Sequence, residues 1–583
     1  MSLHKEISFE NEICDHLGGA GWIYEDGAAV RYDRGRALFP EDLREWLKDT
    51  QPKAWETLEK AHGAAALDVL GDRLRKQLDD RGTLDVLRHG LELIGVRGLV
   101  SLAQFAPASG MNPEIVARYQ ANRVRVIRQL RYSRSNENSI DLGLFLNGIP
   151  VATAELKTDF TQSIGDAIDQ YKFDRNPKNE PLLTFARGAL VHFAVSNREV
   201  MMTTKLEGGK TRFLPFNQGN DGGAGNPVSK TGHATAYLWE EVWQRDSWLE
   251  LIGRYMIARR DKKKQISTVI FPRYHQLDAT RKLRQQVRAE GAGGRFLIQH
   301  SAGSGKTNSI AWSAHFLADL HDEADQKIFS SVIVVSDRNV IDAQLQEALF
   351  EFERTKGVVA TITSDGGSKS AALADALDAG KKIIVCTMQT FPFALEAVRE
   401  RAATDGKKFA VIADEAHSSQ AGETASKLKA VLSPEEVEEL GDGGEVSAED
   451  ILAAQMAARA AEDGVTYVAF TATPKTKTME LFGRKPNPNA PASATNKPAP
   501  FHVYSMRQAI EEGFILDVLK NYTPYSLAFK LASESQEWDE LEVEGRVSEV
   551  VEIVWRRNLR VNQHPPNRRR QPPGRSRHEA EYR

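Results

Sequence analysis

The sequence predicts an α/β protein of several domains, in which a parallel sheet covered on both faces follows an N-terminal domain built around a β-hairpin. Nearly continuous apolar runs, separated by helical stretches, predict the parallel sheet, because strands buried on both faces have this composition. The runs are 296–298, 332–335, 383–386, 409–412 and 467–470. The two other informative observations are a glycine-rich turn after the first run and an Asn-Gly turn at 147–148.

Length and composition limit the class of protein. The chain of 583 residues is long enough for about four domains. Its two cysteines, Cys14 and Cys386, are too few for a disulfide framework or a four-ligand zinc site and indicate a reducing compartment. The first residues lack an apolar secretion signal and no apolar run reaches membrane-spanning length, so we expect a soluble, cytoplasmic protein. The net charge of −4 leaves nucleic acid open as a partner, since local basic clusters still contact phosphates.

Residues 1–100 are predicted to be mostly helical, because apolar residues recur at three- and four-residue intervals. Glu10 and Glu12 are interpreted as exposed helix charges, with a catalytic role as the less favoured alternative. Further on, arginines interrupt a run of apolar residues. This pattern indicates either a solvated edge strand or a surface that faces phosphates, and the segment that follows favours the second. The arginines are Arg123, Arg125, Arg128 and Arg131.

A β-hairpin is predicted at 139–157, because Asn-Gly is the preferred two-residue turn between strands. Alternation along the second strand puts Glu155 and Lys157 on one face. With Asp141 on the first strand, they form the Asp…Glu-x-Lys set of a metal-dependent nuclease. In such a set two carboxylates hold a hard divalent cation and the lysine orients or polarises the attacking water. An exposed hairpin with scattered charges is the alternative.

The register of this hairpin raises a geometric objection. A strict two-residue turn would pair Asp141 with Ala154 and direct the carboxylate to the wrong face. A one-residue bulge near Pro150, where proline is tolerated, would instead bring Asp141 opposite Glu155. We therefore predict that bulge.

The glycine-rich turn follows the first apolar run and opens a helix, which is the arrangement that cradles nucleotide phosphates. Its glycines let backbone N–H groups approach the phosphates, Lys306 reaches the β- and γ-oxygens, and the Thr307 hydroxyl ligates Mg²⁺. His300 stands where the usual pattern has its first glycine, so the match is to the Gly-x-Gly-Lys-Thr core alone. A plain glycine-rich loop is the alternative. The predicted phosphate-binding residues are Gly303, Ser304, Gly305, Lys306 and Thr307.

Polar residues follow the later runs, at the edge where a parallel sheet places its substrate contacts. After the fourth run, Asp414 can hold Mg²⁺ through water and Glu415 can activate the hydrolytic water. After the fifth run, Thr471 and Thr473 form a hydroxyl-bearing turn able to sense the γ-phosphate state. Upstream of the first run, Gln276 is predicted to read an adenine edge.

With the hairpin set in front of these helicase motifs, the chain resembles the restriction (R, or motor) subunit of type I restriction-modification enzymes. The resemblance extends from Phe9 to about Tyr525 and includes the segments 128–130, 225–227 and 504–506. It implies a PD-(D/E)XK-type endonuclease domain followed by a RecA-like superfamily 2 helicase domain, with the start of a second one. Type III enzymes have a similar motor but place the nuclease after it, so the order here favours type I.

The resemblance also implies a role for each matched residue. Asp141, Glu155 and Lys157 become the nuclease residues, and the first two become metal ligands. Glu415 becomes catalytic in ATP hydrolysis. Nucleotide binding and coupling fall to Gln276, Gly303, Ser304, Gly305, Lys306, Thr307, Asp414, Thr471 and Thr473, of which Thr307 and Asp414 ligate the metal. Related nucleases often carry Gln-x-x-x-Tyr, whereas here Tyr171 follows Gln170 directly.

Four segments are expected. They are an endonuclease domain at 1–258, a helicase ATP-binding domain at 259–498, a linker with the start of a second RecA-like domain at 499–555, and a disordered basic, proline-rich tail at 556–583. A charged run at 259–264 marks the first boundary. Subunits of this family are longer, so the chain is expected to be truncated or frame-shifted. It would then lack the arginine that the second helicase domain supplies to the ATP site.

The expected function is that of a type I site-specific deoxyribonuclease subunit, which translocates and cleaves unmethylated double-stranded foreign DNA. Its expected partners are methyltransferase (M) and specificity (S) subunits, with no membrane. ATP and Mg²⁺ are the expected cofactors, and S-adenosylmethionine is expected only on the partner methyltransferase. Two alternatives stay open. One is a translocation-defective remnant that binds ATP, DNA or partners without turnover, and the other is a repair-type helicase-nuclease.

Overall fold

The computed structural model describes residues 6–159, 162–229, 232–336, 343–351, 357–362, 369–387, 406–414, 464–487, 489–491 and 493–517. The chain divides into two compact units, Met1–Ile515 and Leu516–Arg583. Every helix and strand named below belongs to the first unit. The predicted tail at 556–583 lies outside the described residues, as does Glu415.

The N-terminal region is helical, as predicted, because its regularly spaced apolar side chains pack into one core. Three of its helices begin with a proline, at the position where the missing N–H leaves no hydrogen bond unmade. The elements are α1 (Glu6–Gly19), α2 (Pro40–Thr50), α3 (Pro52–His62), α4 (Ala66–Arg81), α5 (Thr83–His89), the short strands β1 (Leu91–Glu92) and β2 (Leu99–Val100), and α6 (Pro113–Gln120).

A six-stranded mixed sheet follows, in which each strand neighbours the next in sequence. Its strands are β3 (Val124–Arg131), β4 (Ser139–Leu146), β5 (Ile149–Leu156), β6 (Val191–Val195), β7 (Val200–Thr203) and β8 (Leu214–Pro215). All pairs are antiparallel except β5 with β6. Two parallel strands that are neighbours in sequence must be joined by a crossover connection. The crossover from β5 to β6 contains α7 (Ile164–Asp169) and a π-helical turn at Gln170–Asp174.

The predicted bulge in the β4–β5 hairpin is confirmed. Phe145 pairs with Pro150 and Leu144 pairs with Ala152, so Val151 is the extra residue on β5. From there the register runs to Leu142 opposite Ala154. Continued by one residue, it places Asp141 opposite Glu155.

The hairpin turn is fixed by its glycine. Asn147 and Gly148 both have positive φ, at 50° and 82°, as a two-residue turn of this kind requires. A Cβ added at Gly148 would lie 2.3 Å from the Phe39 carbonyl oxygen at the start of α2. Only glycine therefore fits where the hairpin meets α2.

The interpretation of the arginine-bearing strand β3 as a phosphate-facing surface is wrong for Arg125. Its side chain is 3% exposed, and its Nε and Nη2 donate to the Asp42 carboxylate at 2.5 and 3.0 Å. Arg123 donates to the same carboxylate at 3.0 Å. Arg128 and Arg131 also carry carboxylate partners. Because Asp42 lies 83 positions before Arg125, the pattern within the strand could not reveal this pair.

Helical segments lead from this sheet to the next one. They are a π-helical turn at Leu238–Val242, α8 (Arg245–Glu250) and a second π-helical turn at Leu251–Tyr255, followed by the hairpin of β9 (Ile257–Arg260) and β10 (Ile266–Ile270). Trp239, Trp243 and Trp248 are buried here as packing aromatics. They join the N-terminal helices and the six-stranded sheet in one hydrophobic core.

The second sheet has seven strands in the described residues, all paired in parallel. They are β11 (Arg295–His300), β12 (Ser331–Ser336), β13 (Val359–Thr361), β14 (Ile383–Thr387), β15 (Phe409–Ala413), β16 (Val465–Thr471) and β17 (His502–Tyr504), in the order β13-β14-β12-β15-β16-β11-β17. The five predicted strands are confirmed. The sequence did not predict β13 and β17, which have three residues each and stand at the two edges.

Helices cover this sheet, as the apolar character of its strands predicts. They are α9 (Tyr274–Glu290), α10 (Lys306–Ala318), α11 (Ala343–Glu351), α12 (Lys369–Asp378), α13 (Thr476–Phe482) and α14 (Met506–Glu511). Among the residues described, no helix is both long enough and apolar enough to cross a lipid bilayer.

Candidate functional site

The hairpin brings two of the predicted nuclease residues together in the interior. Asp141 is 8% exposed and Glu155 is fully buried. The Asp141 Oδ2 atom accepts a hydrogen bond from the Leu156 backbone N–H at 2.7 Å, which fixes its carboxylate across the hairpin. The Glu155 Oε1 atom accepts from the Nε of Arg175 at 2.6 Å.

A third carboxylate approaches Asp141 from helix α1. The interpretation of Glu10 as an exposed helix charge is wrong, since Glu10 is 4% exposed. The Nε2 of Gln129 donates to Glu10 Oε1 at 2.9 Å and to Asp141 Oδ1 at 3.2 Å. Gln129 has a φ of 50°, which is uncommon for a residue other than glycine. Backbone strain of this kind concentrates at functional sites.

Lys157, the third predicted nuclease residue, lies at the edge of the same pocket. It is 3% exposed, and its Nζ donates to Glu6 Oε1 at 2.7 Å. Glu6, Glu10 and Asp141 can each place one carboxylate oxygen within 4.8 Å of the other two. The structure thus gives Lys157 a partner on α1, whereas the sequence associated it with Glu155.

Burial and repulsion between the carboxylates disfavour the ionised form of these groups when no cation is present. Burial, with the nearby charge of Asp141, raises the pKa of the Glu155 carboxyl to about 8. The same two causes, in the same order, raise the pKa of Glu10 to about 7. A positive charge placed among these groups would favour the ionised form of both.

The donor atoms present fit a divalent cation such as Mg²⁺. Such a cation prefers carboxylate oxygens as ligands. Glu10 Oε2 and Glu155 Oε2 are buried, and neither has a hydrogen-bond partner in the part of the chain that the structure describes. Arg128 Nε lies 3.9 Å from Glu10 Oε2, beyond hydrogen-bond distance. Two unsatisfied carboxylate oxygens beside Asp141 are the signature of a site that a cation would complete.

The glycine-rich turn lies at the carboxyl end of β11, and α10 begins at Lys306. Gly303 and Gly305 have φ values of 70° and 76°, so the turn depends on them. A Cβ at Gly305 would lie 2.6 Å from the Gln276 Nε2 atom. The turn therefore opens a helix N-terminus, as the phosphate-binding interpretation requires.

Residues at the start of α9 hold this turn from one side. The Nε2 of Gln276 donates to the carbonyl oxygens of Ser304 and Gly305 at 3.2 and 3.0 Å, and its Oε1 accepts from the Arg273 N–H at 2.9 Å. The Nη2 of Arg273 donates to the Gly303 oxygen at 2.8 Å. Gln276 is 4% exposed, so in this structure its amide contacts the turn itself. Arg273 was not among the predicted site residues, although it stands three positions before Gln276.

The remaining predicted residues lie along the carboxyl edge of the same sheet. Asp414 directly follows β15 and Thr471 ends β16, which lies between β15 and β11. Neighbouring strands are about 4.8 Å apart, so Asp414 stands roughly 10 Å along the edge from the end of β11. Thr473 is exposed in the turn after β16, and Thr471 is buried. Glu415 lies outside the described residues, so its predicted role stays a prediction.

Two family models match the chain in sequence order. Residues 5–211 match the family described as type I restriction enzyme R protein N terminus. Residues 275–544 match the SWI2/SNF2 ATPase family. The first match covers the carboxylate pocket and the second begins next to Gln276.

The individual proteins to which the chain is similar include subunits of type I restriction enzymes. An endonuclease subunit assigned to the type I restriction enzyme MjaVIIIP of Methanocaldococcus jannaschii is 23% identical, over 73% of this chain and 41% of that protein. The HindI endonuclease subunit of Haemophilus influenzae is 22% identical, over 88% of this chain and 46% of that protein. A solved fragment assigned as a type I HsdR subunit from Vibrio vulnificus YJ016 is 16% identical, over 74% of this chain and 66% of that one, with a TM-score of 0.25.

The chain spans less than half the length of the two restriction subunits from M. jannaschii and H. influenzae. The N-terminal R-protein match, the ATPase match that follows it and the two restriction subunits nevertheless agree with each other. The chain therefore carries a region of the type I restriction enzyme R-protein N-terminal family, followed by a region of the SWI2/SNF2 ATPase family.

Proposed function

We propose that this chain is the ATP-dependent endonuclease subunit of a type I restriction system. It acts on unmethylated double-stranded foreign DNA in a complex with methyltransferase and specificity subunits, and it uses ATP with Mg²⁺. The observation that carries the proposal is the bulged hairpin, because its register sets Asp141 opposite Glu155 in the interior, and Glu10 and Glu6 approach the same Asp141 carboxylate. The same chain carries the glycine-rich turn of an ATPase sheet.

In the nuclease reaction, Asp141, Glu155 and Glu10 would hold the divalent cation. When bound, such a cation lowers the pKa of a water molecule and stabilises charge on the phosphate undergoing attack. Lys157 brings a fixed positive charge to the rim of the pocket, because Glu6 holds its ammonium group. The Gln129 amide keeps two carboxylates together despite their repulsion, since it donates to both Glu10 and Asp141.

In the nucleotide reaction, the backbone of the turn and Lys306 would bind phosphates. Thr307 and Asp414 would hold Mg²⁺, and Glu415 would activate water. Gln276 supports this role by a contact that the structure supplies, because it holds the Ser304 and Gly305 carbonyls. Its predicted role as an adenine reader belongs to the same proposal. Thr471 ends β16, Thr473 lies in the turn after it, and the two would transmit the phosphate state.

The experiment uses the full chain with its methyltransferase and specificity partners, ATP, Mg²⁺ and circular duplex DNA with an unmethylated target site. Three chains are compared: the wild type, Lys157→Ala and Lys306→Ala. We expect double-strand cleavage by the wild type alone. Lys157→Ala should keep ATP hydrolysis, and Lys306→Ala should lose both activities.

The outcomes separate this proposal from its alternatives. Cleavage by Lys157→Ala at the wild-type rate would exclude the hairpin as the nuclease centre. ATP that binds to the wild type without turnover would identify a translocation-defective remnant. Cleavage that requires neither partner subunit would instead indicate a repair-type nuclease.

A further inference from the structure

Arg175 is the one basic residue in contact with the Glu155 carboxylate among the described side chains. Its Nε donates to Glu155 Oε1 at 2.6 Å, and its side chain is 11% exposed. The sequence offered no role for it. Arg175 directly follows the π-helical turn Gln170–Asp174, and its N–H donates to the Gln170 carbonyl oxygen at 3.0 Å. This turn brings a residue of the β5–β6 crossover back onto the end of β5.

The contact divides the two oxygens of Glu155 between different environments. Arg175 holds Oε1, while Oε2 is buried and has no hydrogen-bond partner within the described ranges. A charge-assisted bond to one oxygen fixes the plane of a carboxylate, because the group can no longer rotate freely. The second oxygen is thereby held in one direction. The neighbouring carboxylate is that of Asp141, whose charge raises the pKa of Glu155.

A second buried arginine–carboxylate pair, between Arg125 and Asp42, lies outside the carboxylate pocket and provides a comparison. Asp42 accepts from Arg125 through both oxygens, at 2.5 and 3.0 Å, and from Arg123 at 3.0 Å. Both Asp42 oxygens are therefore satisfied, as burial of a charge demands. Glu155 has similar burial but only one satisfied oxygen. Of these two pairs, the Arg175–Glu155 pair leaves a carboxylate oxygen without a hydrogen bond from the described residues, whereas the Arg125–Asp42 pair leaves an arginine nitrogen, Nη1 of Arg125, without one.

We infer that Arg175 is a positioning residue of the nuclease centre, which fixes Glu155 through Oε1 so that Oε2 is directed at the divalent cation. The inference rests on the proposed nuclease function. Arginine suits the task because its planar guanidinium sets direction, whereas the lysine ammonium is a point charge on a flexible stem. Partners that orient metal ligands in this way typically contribute about 10- to 100-fold to metal affinity.

The test measures Mn²⁺ binding by electron paramagnetic resonance on the full chain, without DNA or ATP. The variants are Arg175→Met, Arg175→Lys and Glu155→Gln. Arg123→Met is the matched control, because it also removes an arginine from a buried carboxylate while Arg125 still pairs with Asp42. We expect Arg175→Met and Glu155→Gln to bind Mn²⁺ at least about 10-fold more weakly, with an altered spectrum. Arg123→Met should keep wild-type affinity and spectrum.

Arg175→Lys keeps the test decisive if Arg175→Met fails to fold. Lysine retains the positive charge but lacks the planar guanidinium group. We therefore expect this variant to bind Mn²⁺ more weakly than the wild type and more strongly than Glu155→Gln. Wild-type affinity and spectrum in either folded Arg175 variant, with weak binding by Glu155→Gln, would overturn the positioning role and leave the nuclease proposal intact. Failure of the wild type to bind Mn²⁺, or wild-type binding by Glu155→Gln, would overturn both.

Discussion

Asp141 stands opposite Glu155 because β5 carries one more residue than β4 beside the hairpin turn. The extra residue is Val151, and beyond it the register runs through Leu142 and Ala154. Residues directly opposite each other in an antiparallel pair have Cα atoms about 4.5–5.5 Å apart, which a disulfide can span. The Asp141→Cys/Glu155→Cys chain should therefore form a disulfide on mild oxidation, as seen by mass spectrometry.

The matched pair for that experiment is Asp141→Cys/Ala154→Cys. It tests the register that a turn without a bulge would give, and we expect its thiols to stay free. Cross-linking of this pair in preference to the first would show that β5 has no bulge. Asp141 and Glu155 would then point to opposite faces of the hairpin.

Glu10 should matter to the nuclease although its nearest partners come from a distant part of the chain. Glu10→Gln removes one of three clustered carboxylates, so we expect DNA cleavage by the reconstituted complex to fall about 10-fold or more at limiting Mg²⁺. Glu12→Gln is the control on the same helix, because Glu12 contacts His233 and not the carboxylate pocket. Equal cleavage rates for the Glu10→Gln and wild-type chains would remove Glu10 from the site.

Gly305→Ala should weaken ATP binding, because the added Cβ would lie 2.6 Å from Gln276 Nε2 in a turn where φ is 76°. Gly291→Ala is a matched control in the same domain, since Gly291 has a φ of 79° and open space around its Cβ position. Both changes introduce a strained residue that costs about 1–3 kcal/mol. Calorimetry should show weaker ATP binding only for Gly305→Ala. Identical affinities would mean that the turn does not contact the nucleotide.

His192 should make the protein sensitive to acid. Burial lowers its pKa to about 3, and its Nδ1 lies 2.7 Å from the Thr153 hydroxyl, beside the Tyr171 ring. The unfolded chain takes up this proton near the ordinary pKa of about 6.5, and the folded chain does not. Unfolding is therefore favoured as pH falls through that value, and from pH 7 to pH 5 the loss of stability is about 2 kcal/mol.

The measurement is the urea midpoint of wild-type and His192→Asn chains at pH 7 and pH 5. Asparagine can keep a hydrogen bond to Thr153 but does not titrate, so its midpoint should fall less between the two pH values. His62→Asn, altered at an exposed histidine, should follow the wild type. If the urea midpoint fell equally for His192→Asn and the wild type, His192 would not be the cause of the acid sensitivity.

The sequence predicted what depends on local patterns. The five central strands are long apolar runs, and the glycine-rich turn is recognisable where one of these runs ends. These two local patterns were enough to predict the central part of the parallel sheet. The bulge was predictable because the Asn-Gly turn sets the register and the carboxylates require a different one. Outside these patterns, prediction failed. The short edge strands β13 and β17 have too few residues for a periodic signal.

The missed site residues have a common physical cause. Glu10 reaches Gln129 across 119 positions, and Arg175 reaches Glu155 only through a π-helical turn. Arg125 has the sequence context of a phosphate contact, but its partner is Asp42, 83 positions earlier in the chain. Each of these contacts is made by tertiary packing. The sequence around a charged residue in a helix or strand does not identify a partner that lies far away in the chain.

The most direct test of two separable sites on one chain is a reaction that reports ATP hydrolysis and DNA cleavage together. The chain to measure is Asp141→Asn with both partner subunits and unmethylated duplex DNA. We predict DNA-stimulated ATP hydrolysis at the wild-type rate and no double-strand cleavage. Cleavage at the wild-type rate by Asp141→Asn would contradict the assignment of the carboxylate pocket as the nuclease centre.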